Sequence, residues 1–138
     1  MIEQSAFRFL GYKIPKIEMI IDDNFGVAPK EEIENSTKIG FALNPESPKF
    51  VEVLMTIILK AKSNTFSFHL EIKGGFLGDD SMTDEGFKNL YTKNAPAVLY
   101  PFARAIVSNY MVLANIPAFN LPLVNLSNNE EAEKLKDQ

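Results

Sequence analysis

Two alternating runs joined by a tight turn constrain this chain more than any other feature of its sequence. In residues 65–73 every second side chain is apolar, and the residues between them are polar. Residues 50–62 show a second period-two pattern, and Ser63 and Asn64 between the runs are typical of a turn. Period two predicts strands, and the short connection predicts an antiparallel hairpin. The predicted inward side chains are Val51, Val53, Met55, Ile57, Leu59, Ala61, Phe66, Phe68, Leu70 and Ile72.

Two further strands are predicted upstream of this hairpin. Ile39, Phe41 and Leu43 alternate with smaller or polar residues and predict a strand that ends at Asn44, which makes a three-stranded meander. Residues 7–21 also alternate, and the proline within them predicts an edge strand or a bulge, because proline cannot donate to a ladder. Residues 22–37 lack a sustained apolar period and predict a long connection. Gly74 and Gly75 are predicted to end the sheet.

The C-terminal half is predicted to be helical. Thr83 before two acidic residues is typical of a helix start, and predicts a short helix from about Asp84 to Tyr91. A longer helix is predicted from Asn94, with apolar residues at spacings of three and four and a second apolar group beside them. One sheet cannot cover so wide an apolar surface, so we infer a subunit interface. The interface prediction comprises Phe102, Ile106, Tyr110, Val112 and Leu113.

The order of strands followed by helices predicts an α+β fold, with a single domain over residues 1–126 and a polar tail over residues 127–138. The chain has 138 residues, no cysteine, one histidine and a net charge of −4. Disulfides and thiolate or histidine-rich metal sites are therefore excluded. The negative charge argues against a nucleic-acid binder and against an anionic membrane surface. No apolar run reaches membrane-spanning length and no signal peptide is recognisable, so the expected compartment is the cytoplasm.

Residues that could carry chemistry give no catalytic set. His69 lies on the polar side of its predicted strand, and no serine or acid can be placed beside it as a triad requires. Asp79 and Asp80 are adjacent loop acids, without the separation and burial of a general acid and base. We therefore predict no enzyme, no cofactor and no metal. An enzyme of unknown type remains the weakest of three hypotheses.

Two C-terminal motifs carry a family resemblance. The run NAPAVLYPFARAIVSNYM at residues 94–111, followed by IPAFNLPLVNL at residues 116–126, resembles the SecB protein-export chaperones. Residues 99–104 correspond to the first family motif and residues 119–125 to the second, with Pro122 one place earlier than the family proline. The stretch EIKGGF at residues 71–76 resembles the end of the family's fourth strand. The similarity spans about Phe7 to Leu126.

This resemblance implies a four-stranded antiparallel sheet, a long crossover after the first strand, and one short and one long helix packed on one face. It implies a homotetramer, built as a dimer of dimers. The implied activity is to hold unfolded or pre-secretory polypeptides in hydrophobic grooves without ATP, and to deliver them to the SecA motor of protein export. The alternative is a dedicated chaperone for one client, such as the antitoxin of a toxin–antitoxin system.

The resemblance also implies site residues. Glu71 corresponds to one acid of the SecA-docking face, whereas Lys16 and Ile20 stand where two further acids would be. Polar replacement of Phe41 and Leu121 together is expected to weaken client binding and leave the fold intact. The client-binding prediction comprises Phe25, Ile39, Phe41, Leu43, Phe119, Leu121 and Leu123.

Overall fold

The computed structural model describes residues 7–25 and 32–116, and their elements form one sheet and one helix. The elements are β1 (Phe7–Ile21), β2 (Ile33–Asn44), β3 (Ser47–Ala61), β4 (Phe66–Gly78) and α1 (Asp84–Leu113). All strand pairs are antiparallel, in the order β1-β4-β3-β2. The predicted α+β class, the hairpin and the meander are confirmed. Because β1 and β2 lie at opposite edges, the chain crosses the whole sheet between them, as the crossover prediction requires.

The sheet has two different faces. On the helix face, the inward residues from Val51 to Ala61 and from Phe66 to Ile72 are no more than 2% exposed, and α1 packs on this face. On the open face, the intervening residues of β3 and β4 are half-buried or exposed. Strict alternation in both strands therefore has a simple cause, since one face is covered by a helix and the other is not. All ten inward residues predicted for this hairpin are confirmed.

Helix α1 lies close against β4 because β4 carries glycine where the helix crosses it. A Cβ atom at Gly74 would lie 2.7 Å from Leu99 Cδ2, and one at Gly78 would lie 2.6 Å from Phe87 Cδ1. The helix begins after Thr83, whose Oγ1 accepts a hydrogen bond from the Gly86 amide at 3.0 Å. Buried side chains recur at every fourth position, with Pro96 and Tyr100 buried beside this row, which consists of Phe87, Tyr91, Ala95, Leu99, Ala103, Val107 and Met111.

The prediction of a short and a long helix is wrong, because α1 runs without a break from Asp84 to Leu113. Pro96 and Pro101 lie inside it, and each removes one backbone hydrogen-bond donor. Leu99 and Ala103, which flank the second proline, are fully buried against the sheet. Packing of this face holds the helix together across both prolines, since helices in proteins depend more on tertiary packing than on local propensity.

Three other strand features also differ from or refine the predictions. β2 begins at Ile33, within the predicted connection, and residues 33–38 alternate between half-buried and exposed. The prediction that Gly74 and Gly75 end the sheet is wrong, because β4 continues to Gly78 and still pairs with β1 there. The edge position and irregularity predicted from Pro15 are confirmed, since the β1–β4 register shifts between Lys13 and Lys16.

Candidate functional site

A cleft of about 370 Å³ opens between the β2–β3 turn and the start of α1. We call it the hairpin cleft. Phe87 and Tyr91 are each 2% exposed and form its floor, with ring centroids 5.1 Å apart in an edge-to-face arrangement. Leu43 on its wall is 48% exposed. The cleft thus offers an apolar surface to an apolar side chain of another molecule. Its lining residues are Leu43, Asn44, Pro45, Pro48, Asp84, Phe87, Lys88 and Tyr91.

Two of the predicted client-binding residues do not line this cleft. Ile39 is fully buried and Phe41 is 7% exposed. The Phe41 ring packs against that of Tyr91, with centroids 5.2 Å apart. Both side chains belong to the hydrophobic core, and Tyr91 of α1 covers Phe41. Their period-two pattern correctly placed them on an apolar face, but that face is the one that α1 covers.

The other described client-binding candidates do not share one pocket. Leu43 lies at the hairpin cleft, whereas Phe25 stacks on Phe66 with ring centroids 5.2 Å apart. Phe66 begins β4, and Leu43 pairs with Val51 toward the opposite end of the sheet. The two candidates therefore lie near opposite ends of the strands. The remaining candidates Phe119, Leu121 and Leu123 lie outside the described residues, as does the predicted polar tail.

An ion pair stands beside the hairpin cleft. Lys49 Nζ lies 2.8 Å from Asp84 Oδ1, and the lysine side chain is only 11% exposed. The hydrogen bond from Lys49, and then its charge, hold the pKa of the Asp84 carboxyl below its ordinary value. Because a lowered pKa means that folding favours the charged form, this contribution to stability is present above about pH 4 and is lost as the pH falls through the folded-state pKa.

We therefore expect Asp84→Asn to lower the urea midpoint at pH 7, and expect the difference from the unmodified protein to vanish near pH 2. The reason is that the unmodified carboxyl is itself neutral at acid pH. Urea unfolding followed by circular dichroism over this pH range measures the effect. Glu85→Gln is the control, since it removes a charge from the same helix turn. An equal, pH-dependent loss in the control would mean that the helix terminus, and not Lys49, causes the effect.

Four of the five predicted subunit-interface residues lie in one row along α1, and the fifth, Val112, lies beside that row. Val112 and Leu113 are the most exposed large apolar residues of the described chain, at 69% and 81%. Phe102 and Tyr110 are exposed more than one-third each, and Ile106 is half-buried against the core. Spacings of four and three place five apolar residues in one row, which we call the helix stripe. It consists of Val98, Phe102, Ile106, Tyr110 and Leu113.

The helix stripe lies on the side of α1 that faces β1. The Phe102 ring contacts those of Tyr12 and Phe9 of β1, with centroids 4.9 Å and 5.8 Å apart. Tyr12 is itself 40% exposed. An apolar surface therefore continues from the helix onto the edge strand. Its role in subunit contact stays a prediction.

Glu71 lies on the open face of the sheet. It is opposite Lys16 of β1, and its Oε2 lies 3.2 Å from His69 Nε2. Ile20 occupies the same face opposite Ser67. The SecA-docking role of Glu71 stays a prediction. Within the described residues, no three histidine or acidic side chains gather as metal ligands. No helix of that part of the chain combines the length and apolar content that crossing a membrane requires.

Sequence reasoning missed the floor of the hairpin cleft. Phe87 and Tyr91 are an aromatic pair at the i, i+4 spacing, which marks one face of a helix. That pattern could have identified them as a packed pair. Their contact with the segment around Leu43 depends on how α1 crosses the sheet, and no local pattern reports that crossing.

Comparisons with known proteins agree with this architecture. The sequence matches the family model described as preprotein translocase subunit SecB over residues 14–130, which confirms the resemblance. The fold is similar to that of a SecB-like chaperone from Mycobacterium tuberculosis in complex with a ChAD peptide from the HigA1 antitoxin. Its TM-score is 0.72 at 12% identity, over 87% of this chain and 91% of that one. A protein of unknown function from Streptococcus agalactiae gives a TM-score of 0.42 at 12% identity, over 85% and 97% of the two chains. Since the family match covers most of its length, the chain belongs to the SecB family.

Proposed function

We propose that this protein is an ATP-independent chaperone of the cytoplasm that holds unfolded or pre-secretory polypeptides and passes them to the Sec machinery. The observation that carries the proposal is the hairpin cleft, where exposed Leu43 stands over a floor of buried aromatic rings. Membership of the SecB family supports the same activity. In this proposal the exposed Leu43 contacts the client, the buried rings of Phe87 and Tyr91 support the cleft beneath it, and no residue performs covalent chemistry.

The energetics of such a cleft suit a chaperone. Burying one leucine- or phenylalanine-sized side chain contributes roughly 1.5–3 kcal/mol, which corresponds to about a 10- to 100-fold gain in affinity. The contact is non-directional and selects apolar side chains without requiring a particular sequence. A single cleft of this kind therefore binds broadly and weakly. Tight holding requires several such contacts along one client.

The distance between the candidate client-binding residues Leu43 and Phe25 sets the length of client that could contact both. Strands rise roughly 3.3 Å per residue. Leu43 and Ile33 are ten positions apart on β2, so the sheet extends about 33 Å between the two ends near which Leu43 and Phe25 lie. A client that contacts both Leu43 and Phe25 would need a stretch of about ten extended residues. We propose that clients bind in this extended form.

A second candidate function is a dedicated chaperone for one client. The Mycobacterium tuberculosis neighbour was solved with a peptide from an antitoxin, which supports this alternative. The departures at Lys16 and Ile20 also favour it, since they place a base and an apolar residue where the export members' SecA-docking acids are expected. A pull-down distinguishes the two candidates. Many unrelated immature proteins would support the general chaperone, and one reproducible partner would support the dedicated one.

We further propose that copies of this chain cover the helix stripe, in a homotetramer arranged as a dimer of dimers. The support is the exposure of Leu113 at the end of the stripe together with the half-exposed aromatic residues Phe102 and Tyr110, and Val112 beside the stripe is also exposed. Contiguous apolar patches of this kind mark interaction surfaces in soluble proteins. Native mass spectrometry of the purified chain measures the oligomeric state, and a monomer would contradict this arrangement.

The test of the proposed function is the variant Leu43→Ser. We expect the chaperone concentration that half-suppresses aggregation of a chemically unfolded client to rise about 5- to 20-fold, because one leucine-sized contact is lost. The melting temperature should stay nearly unchanged, since Leu43 is half exposed. Light scattering during dilution of the client from denaturant measures the effect.

Ile20→Ser is the matched control, because Ile20 is 56% exposed but lies on the open face. It should suppress aggregation as well as the unmodified protein does. Equal aggregation suppression by both variants would mean that the hairpin cleft does not bind clients. Failure of the unmodified protein to delay aggregation at all would contradict the holding function itself.

A further inference from the structure

The open face of the sheet carries a charge opposite in sign to that of the whole chain. The chain has a net charge of −4. Register across the four strands places six basic side chains on this face and only four acidic ones. Positive charge is therefore concentrated on the side of the sheet that α1 does not cover. The basic residues are Arg8, Lys13, Lys16, Lys38, Lys60 and Lys73.

Three of the four acids on this face lie opposite a lysine or the histidine in the strand register. Glu71 lies opposite Lys16, and Glu34 lies opposite Lys60. Glu18 lies opposite His69. These pairings leave Lys13 and Lys73 on a part of the face where Glu52 is the only acid that lines the same cleft.

Lys13 and Lys73 lie directly opposite each other in the β1–β4 ladder. Like charges in this position destabilise a sheet. Neither lysine takes part in the ion pairs that the described residues form. An anionic group placed between the two ammonium groups would remove the repulsion and would contact both.

A cleft of about 360 Å³ lies beside this pair. It exists because β1 departs from regular pairing between Phe9 and Tyr12, where Gly11 has a φ of +108°, a conformation that favours glycine. Gly75 leaves room for the Phe50 ring, since a Cβ there would lie 3.3 Å from Phe50 Cε1. Leu10 and Phe50 give this cleft an apolar wall. Two cations and an apolar wall thus meet at one place.

We propose that the open face docks an acidic segment of a partner protein at the cleft between Lys13 and Lys73. A carboxylate of the partner contacts both lysines, and a neighbouring apolar side chain packs on Leu10 and Phe50. Glu52, which lines the same cleft, repels the partner's other carboxylates and so orients the segment. This surface lies on the opposite side of the sheet from the hairpin cleft, so partner and client can bind together.

The chemistry of this face favours an acidic peptide over nucleic acid. Glu18, Glu52 and Glu71 are interleaved with the lysines, and a continuous phosphate backbone would meet them at each step. A short peptide needs only one or two carboxylates in the right place. The apolar wall also matches an amino-acid side chain better than a sugar-phosphate chain.

The experiment uses a short fluorescein-labelled peptide with glutamates around one phenylalanine, and measures fluorescence polarisation at low salt. A peptide with glutamine for glutamate should bind about tenfold more weakly, and one with serine for phenylalanine also more weakly. Lys13→Gln/Lys73→Gln should reduce binding about tenfold. The matched control Lys62→Gln/Lys93→Gln removes the same charge from exposed residues elsewhere and should bind normally. Aggregation suppression should be unchanged in both double variants.

Several outcomes would overturn the proposal. Equal loss in both double variants would mean that net charge alone attracts the peptide. Tighter binding of labelled single-stranded DNA than of the acidic peptide would assign the face to nucleic acid. Unchanged peptide binding in Lys13→Gln/Lys73→Gln would mean that the lysine pair does not bind the peptide. Loss of aggregation suppression in that variant would make the face part of the client site.

A stability measurement gives an independent check. Lys13→Glu places opposite charges across the β1–β4 ladder, so its melting temperature should rise by about 1–3 °C while peptide binding falls. A stabilised protein that loses its partner is the result expected if the two lysines serve binding. A rise in stability with full peptide binding would contradict the proposal.

Discussion

Phe41→Ser is expected to lower the free energy of unfolding by about 3–5 kcal/mol, as truncation of a buried phenylalanine does. Phe41 is 7% exposed, and its ring packs on that of Tyr91 beneath α1. Serine would leave a cavity and a hydroxyl among apolar side chains. Since a domain of this size is stable by only about 5–15 kcal/mol, this loss removes a third or more of a typical stability, and the variant should melt far earlier.

Urea unfolding followed by circular dichroism measures this loss, with Leu43→Ser as the control. Leu43 is two residues further along β2 but is half exposed, so its replacement should cost well under 1 kcal/mol. The sequence-based prediction is that polar replacement of Phe41 and Leu121 together weakens client binding with the fold intact, which requires Phe41 to be dispensable for stability. A Phe41→Ser protein with normal stability and weakened client binding would restore that expectation and would contradict the structure.

Gly78→Ala is expected to lower the free energy of unfolding by about 1–3 kcal/mol through overpacking. The added methyl would lie 2.6 Å from Phe87 Cδ1 and 2.8 Å from Cε1. Phe87 is 2% exposed and cannot swing into solvent without leaving the core. The start of α1 would therefore have to lift from β4, which would also disturb the floor of the hairpin cleft.

Gly75→Ala is the matched control in the same strand. Its methyl would face the open side, 3.3 Å from the ring of the half-buried Phe50, which has room to shift. Alanine in a strand interior is otherwise slightly favourable over glycine. Thermal melting should show Gly78→Ala well below, and Gly75→Ala close to, the unmodified protein. Equal melting temperatures for the two variants would contradict the close packing of α1 on β4.

Local alternation was enough to predict the centre of the sheet. The inward residues from Val51 to Ala61 and from Phe66 to Ile72 are all apolar, so period two identifies both strands and their covered face. β2 was predicted too short because Asn35 and Thr37 occupy helix-side positions there and hide the alternation. The start of an edge strand tolerates these polar residues on its helix side, because they are only half-buried there.

Features that depend on contacts between distant segments were not predictable in this way. Pro96 and Pro101 locally favour a break, and only packing against the sheet shows that α1 continues. The hairpin cleft needs the crossing of α1 over the β2–β3 turn. The opposition of Lys13 and Lys73 needs the β1–β4 register, which a bulge shifts. In each case the sequence contains the residues but does not show which distant residues they contact in the fold.

The edge-to-edge crossing between β1 and β2 delays the pairing of β1 while the chain is being synthesised. β1 leaves the ribosome first, yet its pairing partner β4 ends at Gly78. At roughly 5–20 residues per second, β1 waits about 3–11 s after its own completion before the whole of β4 has been made. During that interval β2 and β3 can already form their hairpin, while the apolar side of β1 stays unpaired. The nascent chain therefore passes through a stage in which the apolar side of β1 has been made but has no partner strand to cover it.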